Sequence, residues 1–281
     1  MEKKNQHIVP HCYLKAWCDP NAPCEHEPYV WVHPKAGGTP KNKSPRNLFV
    51  ATEFYTVQRN DGIRDLTIEN AFSDIENQFC KTVRPKLEKQ DTLDLDERRD
   101  LCLFAAALFL RTRSQKTNWE DGWSKVDLMV RLFEKQHGLQ PGLSLQTAQA
   151  AEHGHKMFIV AGLEEAANYI YRMEHAFFIP DDNSFFITSD QPCVLFNPKM
   201  KDWPPLYRSV GFGQKHVEVT LPITPKLLFC ATWQKMSGYT KCPAENIDLL
   251  NQTTRWHCAR YFVSPSRESK PIWFENGKRG S

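Results

Sequence analysis

The chain is expected to fold as α+β, in a single domain over residues 1–281, with a mixed or antiparallel sheet built from its N- and C-terminal segments and a central α-helical block. Strand-forming side chains concentrate in residues 1–65 and again in 175–281, whereas residues 66–174 carry apolar side chains at helical spacing. Strands segregated from helices, without a regular alternation, are the mark of α+β chains. With 281 residues, 41% of them hydrophobic and 25% charged, such a domain can bury a core without disulfides or metals.

In the β-rich N-terminal part, YVWVH at 29–33 suits a short strand and NLFVATEFYTV at 47–57 holds further strand formers. Between them PKAGGTPKNKSPR, basic and without an acidic residue, reads as a solvated turn rather than a phosphate site. In the helical block, Ile68, Phe72, Ile75, Phe79 and Val83 lie three or four residues apart and predict an amphipathic helix that ends near Pro85. The next helical segment has Asp94 or Asp96 as its N-cap and Gly138 as its stop. Its centre, LCLFAAALFL at 101–110, is apolar all round and belongs in the middle of a bundle. A third helical pattern covers 144–174, with Gly154 or Gly162 as possible interruptions.

In the C-terminal part, HAFFIP, the turn DDNS and FFITSDQPCVLF predict a hairpin. VEVTLPITPKLLFCATW predicts two more strands around Pro222 and Pro225. A helix at 244–262 and a final strand at PIWFEN follow, and GKRGS reads as a frayed tail.

Taken in order, the motifs resemble a bacterial family of unknown function, the one numbered 4238. Its opening H-x-x-P-x-x-Y-L-x-x-F is similar to His7, Pro10, Tyr13 and Leu14, with Trp17 replacing the phenylalanine. Glu69 and Glu76 match a pair of glutamates seven apart, Arg111 or Arg113 an arginine closing the apolar helix, and Thr188, Ser189, Asp190 and Pro192 a T-S-D-x-P element. SPRN with EFY, PITP at 222–225 and the last helix, with Asn251, complete a resemblance over roughly residues 7–262. It implies a shared fold and no settled activity. His11, Cys12 and Cys18 have no place in that pattern.

The balance of 36 basic and 33 acidic residues gives a net charge of +3, so no global positive field points to nucleic acid. Nine scattered cysteines do not form a secreted disulfide framework, and MEKKNQHIVP lacks the apolar core of a signal peptide. The longest apolar run is about half a membrane span. The expected setting is therefore the cytoplasm, with no membrane partner.

His7, His11, Cys12, Cys18, Cys24, His26 and His33 invite a zinc site, but Cys18 and Cys24 are too widely spaced and Pro10 opposes a helix joining His7 to His11. Ser189 beside Asp190 lacks the G-x-S-x-G elbow of a nucleophilic serine, and Walker and Rossmann glycine motifs are absent. Arg131 and His137 have the spacing seen in helical ribonuclease toxins of the HEPN type, a spacing that chance also supplies.

The leading expectation gathers His7, Glu69, Glu76 and Asp190 into one polar site. There the carboxylates, Glu76 and Asp190 above all, hold Mg²⁺ or Mn²⁺ to activate water, and Arg111 or Arg113 stabilises the anionic transition state. The corresponding activity is metal-assisted cleavage of phosphodiesters, with nucleic acid as substrate, by a toxin or defence effector. The competing expectation is a non-catalytic binding or sensor module in which the same residues form a structural network.

Overall fold

The computed structural model describes residues 5–23, 25, 27–58, 63–200 and 210–275. The tail GKRGS, Cys24 and His26 lie outside them. The chain opens with β1 (Asn5–His7), α1 (His11–Leu14) and a 3₁₀ turn at Lys15–Trp17. β2 (Val30–Pro34), β3 (Lys41–Lys43), β4 (Val50–Thr52), β5 (Val57–Gln58) and β6 (Arg64–Asp65) follow. The helical block holds α2 (Thr67–Gln78), a π-helical turn at Phe79–Val83, α3 (Arg84–Glu88), α4 (Leu95–Leu110), α5 (Arg113–Gln136) and α6 (Leu143–Arg172). The last third contains β7 (Glu174–Pro180), β8 (Thr188–Ser189), β9 (Val194–Phe196), β10 (Glu218–Thr224), β11 (Leu227–Thr232), β12 (Gly238–Cys242), α7 (Ala244–His257) and β13 (Tyr261–Ser264). The architecture is α+β.

Among the described residues, one sheet has the order β3-β2-β13-β8 and joins the two chain ends, as expected. A second, β12-β7-β11-β10-β9, is built from the last third of the chain; β12 runs parallel to β7 and its other pairings are antiparallel. The N-terminal segment is fixed twice. β1 pairs with β4, His7 lying opposite Val50, and Tyr13, Leu14 and Trp17 are fully buried. Tyr13 donates its hydroxyl hydrogen to the Pro222 carbonyl at 2.7 Å, and Trp17 donates Nε1–H to the Phe186 carbonyl at 3.0 Å. Two large aromatic side chains thereby bury their apolar rings while their polar ends remain paired.

Pro10 acts as expected: it precedes α1 in extended conformation and leaves His7 on the strand before the helix, so no helix joins His7 to His11. Several other expectations are corrected by local chemistry. Pro85 does not end its helix. The chain widens into the π turn and continues, accommodating a residue with no amide to return to the preceding turn. The segment after Asp94 is two helices, because Thr112 accepts a hydrogen bond from Gln115 N–H and starts α5 anew. Asp94, not Asp96, is the cap of α4, in a reciprocal capping box with Glu97.

The hairpin predicted around DDNS does not form. The Phe186 amide bonds the Pro225 carbonyl and the Ile187 amide bonds Asn251 Oδ1, so the chain crosses between sheets. β8 then pairs with β13, and β9 with β10. PIWFEN forms a 3₁₀ turn at Pro271–Phe274 in place of a strand, since Gln252 supplies donors to the Ile272 and Glu275 carbonyls and Trp273 docks on Asp248.

α6 is uninterrupted at Gly154 and Gly162. Gly154 is needed for contact: a Cβ there would lie 2.8 Å from Trp119 Nε1 and 2.9 Å from its Cζ2. Trp119 is held in place by a 3.0 Å bond to the Ala150 carbonyl. Gly154→Ala is expected to cost about 1–3 kcal/mol despite the better helix propensity of alanine. Urea unfolding followed by circular dichroism would measure it; a stabilised variant would show that Trp119 moves freely.

Candidate functional site

The sequence-predicted residues fall into two places. The first is an internal hub where β1, α2 and the end of α4 meet. Glu76 Oε1 accepts a 2.6 Å bond from Arg111 Nη1. Arg111 is 1% exposed and Glu76 21%, so the pair is shielded on the arginine side. The guanidinium lies 5.0 Å from the centre of the Phe72 ring, and the Tyr55 hydroxyl donates to the Arg111 carbonyl at 3.3 Å. Burial drives the Tyr55 pKa well up, keeping the phenol neutral.

His7 is at the edge of this hub. Burial lowers its pKa, the Glu76 carboxylate opposes that shift, and Arg111 reinforces it. Its ring stacks near His11, with centroids 6.2 Å apart. His7 Nδ1 and Arg111 Nε and Nη2 are buried without a hydrogen-bond partner among the described residues. Glu69 is half-buried on α2, and its carbonyl accepts the Ser73 hydroxyl at 3.0 Å.

The second place is a cleft of about 1220 Å³. Arg113, the other arginine singled out in the sequence, begins α5 on its wall and donates to the Val50 carbonyl at 3.0 Å. Asp190 lies on the same wall, but both its oxygens are occupied: Oδ1 accepts from Ala259 N–H at 2.8 Å, and Oδ2 from Arg260 N–H at 2.8 Å and Tyr261 N–H at 3.1 Å. Burial pushes its carboxyl pKa up against the pull of these three amides. Asp190 thus fixes the connector between α7 and β13 to the first residue of β13. Glu76 and Asp190 each have protein partners, and among the described residues no group of three or more His, Cys, Asp or Glu side chains is placed to hold a metal ion.

Five cations, Lys41, Lys43, Arg113, Lys116 and Arg260, line the cleft with two carboxylates, Glu120 and the amide-bound Asp190. Ile8, Leu48, Phe49, Phe54 and Tyr261 supply its apolar lining. Lys116 lies 5.2 Å from the Phe54 ring centre, and Ser114 Oγ accepts a bond from Gln191 Nε2. Phe49 has φ of 52°, uncommon for a bulky side chain, while its carbonyl accepts Ile8 N–H at 2.8 Å. Lys41 and Lys43 are not in a turn: β3 pairs with β2 and presents both on the exposed edge. Arg131 is paired with Asp127 at 2.7 Å, and His137 closes α5 against Phe133, so their spacing reflects helix chemistry.

The family model described as Protein of unknown function (DUF4238) matches residues 5–268. The chain belongs to this family. No curated protein and no solved structure shows significant similarity to it. Motif residues of this DUF4238 chain carry its architecture: Tyr13 donates to the Pro222 carbonyl, Asn251 bonds the backbone at Ile187 and Phe185, and Asp190 clamps three amides. Lys116 and Arg260 were missed in the sequence because 143 intervening residues separate them and only folding gathers them. No helix among the described residues is long and apolar enough to cross a membrane.

Proposed function

We propose that the chain is a non-catalytic binding module for single-stranded nucleic acid, seated in the cationic cleft. One observation carries this reading: a chain of net charge only +3 gathers five cations around one concavity that also offers exposed aromatic surface at Tyr261. Cations that follow a phosphate backbone, beside rings on which bases stack, suit a single strand. The first turn of α5 adds the positive end of a helix dipole at Arg113 and Ser114. The reading favours binding over hydrolysis because Glu76 is engaged by Arg111, and Asp190 by backbone amides.

Fluorescence anisotropy with labelled single-stranded RNA and DNA provides the test. The triple variant Lys41→Ala, Lys43→Ala, Lys116→Ala is expected to bind about 10- to 100-fold more weakly at 0.1 M salt, and each lost phosphate contact reduces the slope of log affinity against log salt by about one. Equal binding by parent and variant would remove the cleft from the interaction. The same strands incubated with Mg²⁺ or Mn²⁺ are expected to stay intact. Cleavage abolished by Glu76→Gln or Asp190→Asn would instead establish a metal-assisted phosphodiesterase.

A further inference from the structure

We infer that Cys12 and Cys80 form a peroxide-reactive dithiol pair that closes to an intramolecular disulfide. Their sulfurs are 2.7 Å apart in the reduced chain, against about 2.05 Å in a disulfide, so little movement separates the two states. Both residues are only partly buried, whereas Cys102, Cys193, Cys230, Cys242 and Cys258 are buried. Cys12 lies on α1 and Cys80 in the π turn after α2. The wide turn, and the Arg84 Nη1 bond to the Cys12 carbonyl at 2.9 Å, hold the two elements together.

The pair is asymmetric. Cys80 donates its thiol hydrogen to Cys12 Sγ, which lowers the pKa of Cys12 and raises that of Cys80. Cys12 is therefore the nucleophile and Cys80 the resolving thiol. The Cys12 thiolate attacks one oxygen of hydrogen peroxide, the O–O bond breaks, and after protonation water leaves, giving a sulfenic acid at Cys12. The Cys80 sulfur then attacks the Cys12 sulfur, the S–O bond breaks, and a second water carries away the oxygen and the Cys80 proton. In sum two thiols and one peroxide become one disulfide and two waters.

Closing the bond links positions 68 apart in the chain and removes freedom from the unfolded state, so oxidation is expected to raise Tm by about 5–8 °C. It also ties α1 to the π turn that directly follows α2, the helix that carries Glu76.

The test treats the reduced full chain with hydrogen peroxide, alkylates it under denaturing conditions and digests it with trypsin. A cross-linked pair of peptides, Asn5–Lys15 with Asp65–Lys81, is expected, while Cys18 remains alkylated; dithiothreitol should abolish the cross-link and the rise in Tm together. In Cys80→Ser the Cys12 sulfenic acid is expected to persist and react with dimedone. Full alkylation of Cys12 and Cys80 in the oxidised parent would overturn the inference, as would dimedone labelling of Cys80→Ser at Cys18 and not at Cys12.

Discussion

Glu76→Gln is expected to destabilise the chain by about 3 kcal/mol, because it leaves a buried guanidinium without its counter-charge. Arg111 is almost wholly enclosed, and its Nε and Nη2 atoms have no other hydrogen-bond partner among the described residues. A glutamine retains the shape and one oxygen acceptor, so the loss reports charge rather than packing. Arg111→Met should cost less, since the carboxylate it abandons is partly exposed and water can solvate it. The double variant Arg111→Met, Glu76→Gln is then expected to recover part of the loss. Urea unfolding of the four proteins gives the coupling energy directly. A Glu76→Gln variant as stable as the parent would mean that the arginine finds compensation elsewhere. The same measurement bears on function: a pair that contributes to stability and leaves ligand binding unchanged is a structural hub.

Much of the architecture is legible locally. Asp94 followed by Glu97 states a helix start, Gly138 at φ of 62° states a helix end, and the paired strands around Pro222 and Pro225 form as their side-chain pattern demands. What is illegible depends on partners distant in sequence. The DDNS stretch has hairpin chemistry, yet the bonds from Phe186 to Pro225 and from Ile187 to Asn251 decide its path. The continuity of α6 at Gly154 depends likewise on Trp119, a residue of another helix.

The candidate site divides in the same way. Glu76 and Arg111 were visible as residue types, and their ion pair required the fold. Asp190 was visible too, but an aspartate before proline reads equally as a ligand or a clamp until its three amide donors are known. The cleft left only a faint signal, the basic stretch around Lys41 and Lys43, because its other cations come from α5 and the connector between α7 and β13.

Acidification from pH 7 to 5 is expected to remove about 3 kcal/mol of stability through His175 and His257. Burial lowers both pKa values to about 4, with Arg98 reinforcing the shift at His175 and Lys35 at His257. The His175 Nε2–H donates to the Ile170 carbonyl at 2.9 Å, and its ring meets the Phe229 edge at 5.0 Å, a setting made for neutral imidazole. In the unfolded chain each histidine accepts a proton near pH 6.5, whereas the folded chain resists until about pH 4. The unfolded state therefore binds more protons throughout that interval, and stability falls as the pH drops through it. Carboxylates contribute mainly below this window, so the slope between pH 6.5 and 5 isolates the imidazoles. Denaturant midpoints measured across that range should decline steadily. His175→Gln should begin less stable at pH 7 and decline less steeply, because one suppressed protonation site is gone, while His155, which burial also lowers to about 4, adds the same slope to both proteins. A midpoint independent of pH down to 5 would show that both rings are solvated enough to titrate normally.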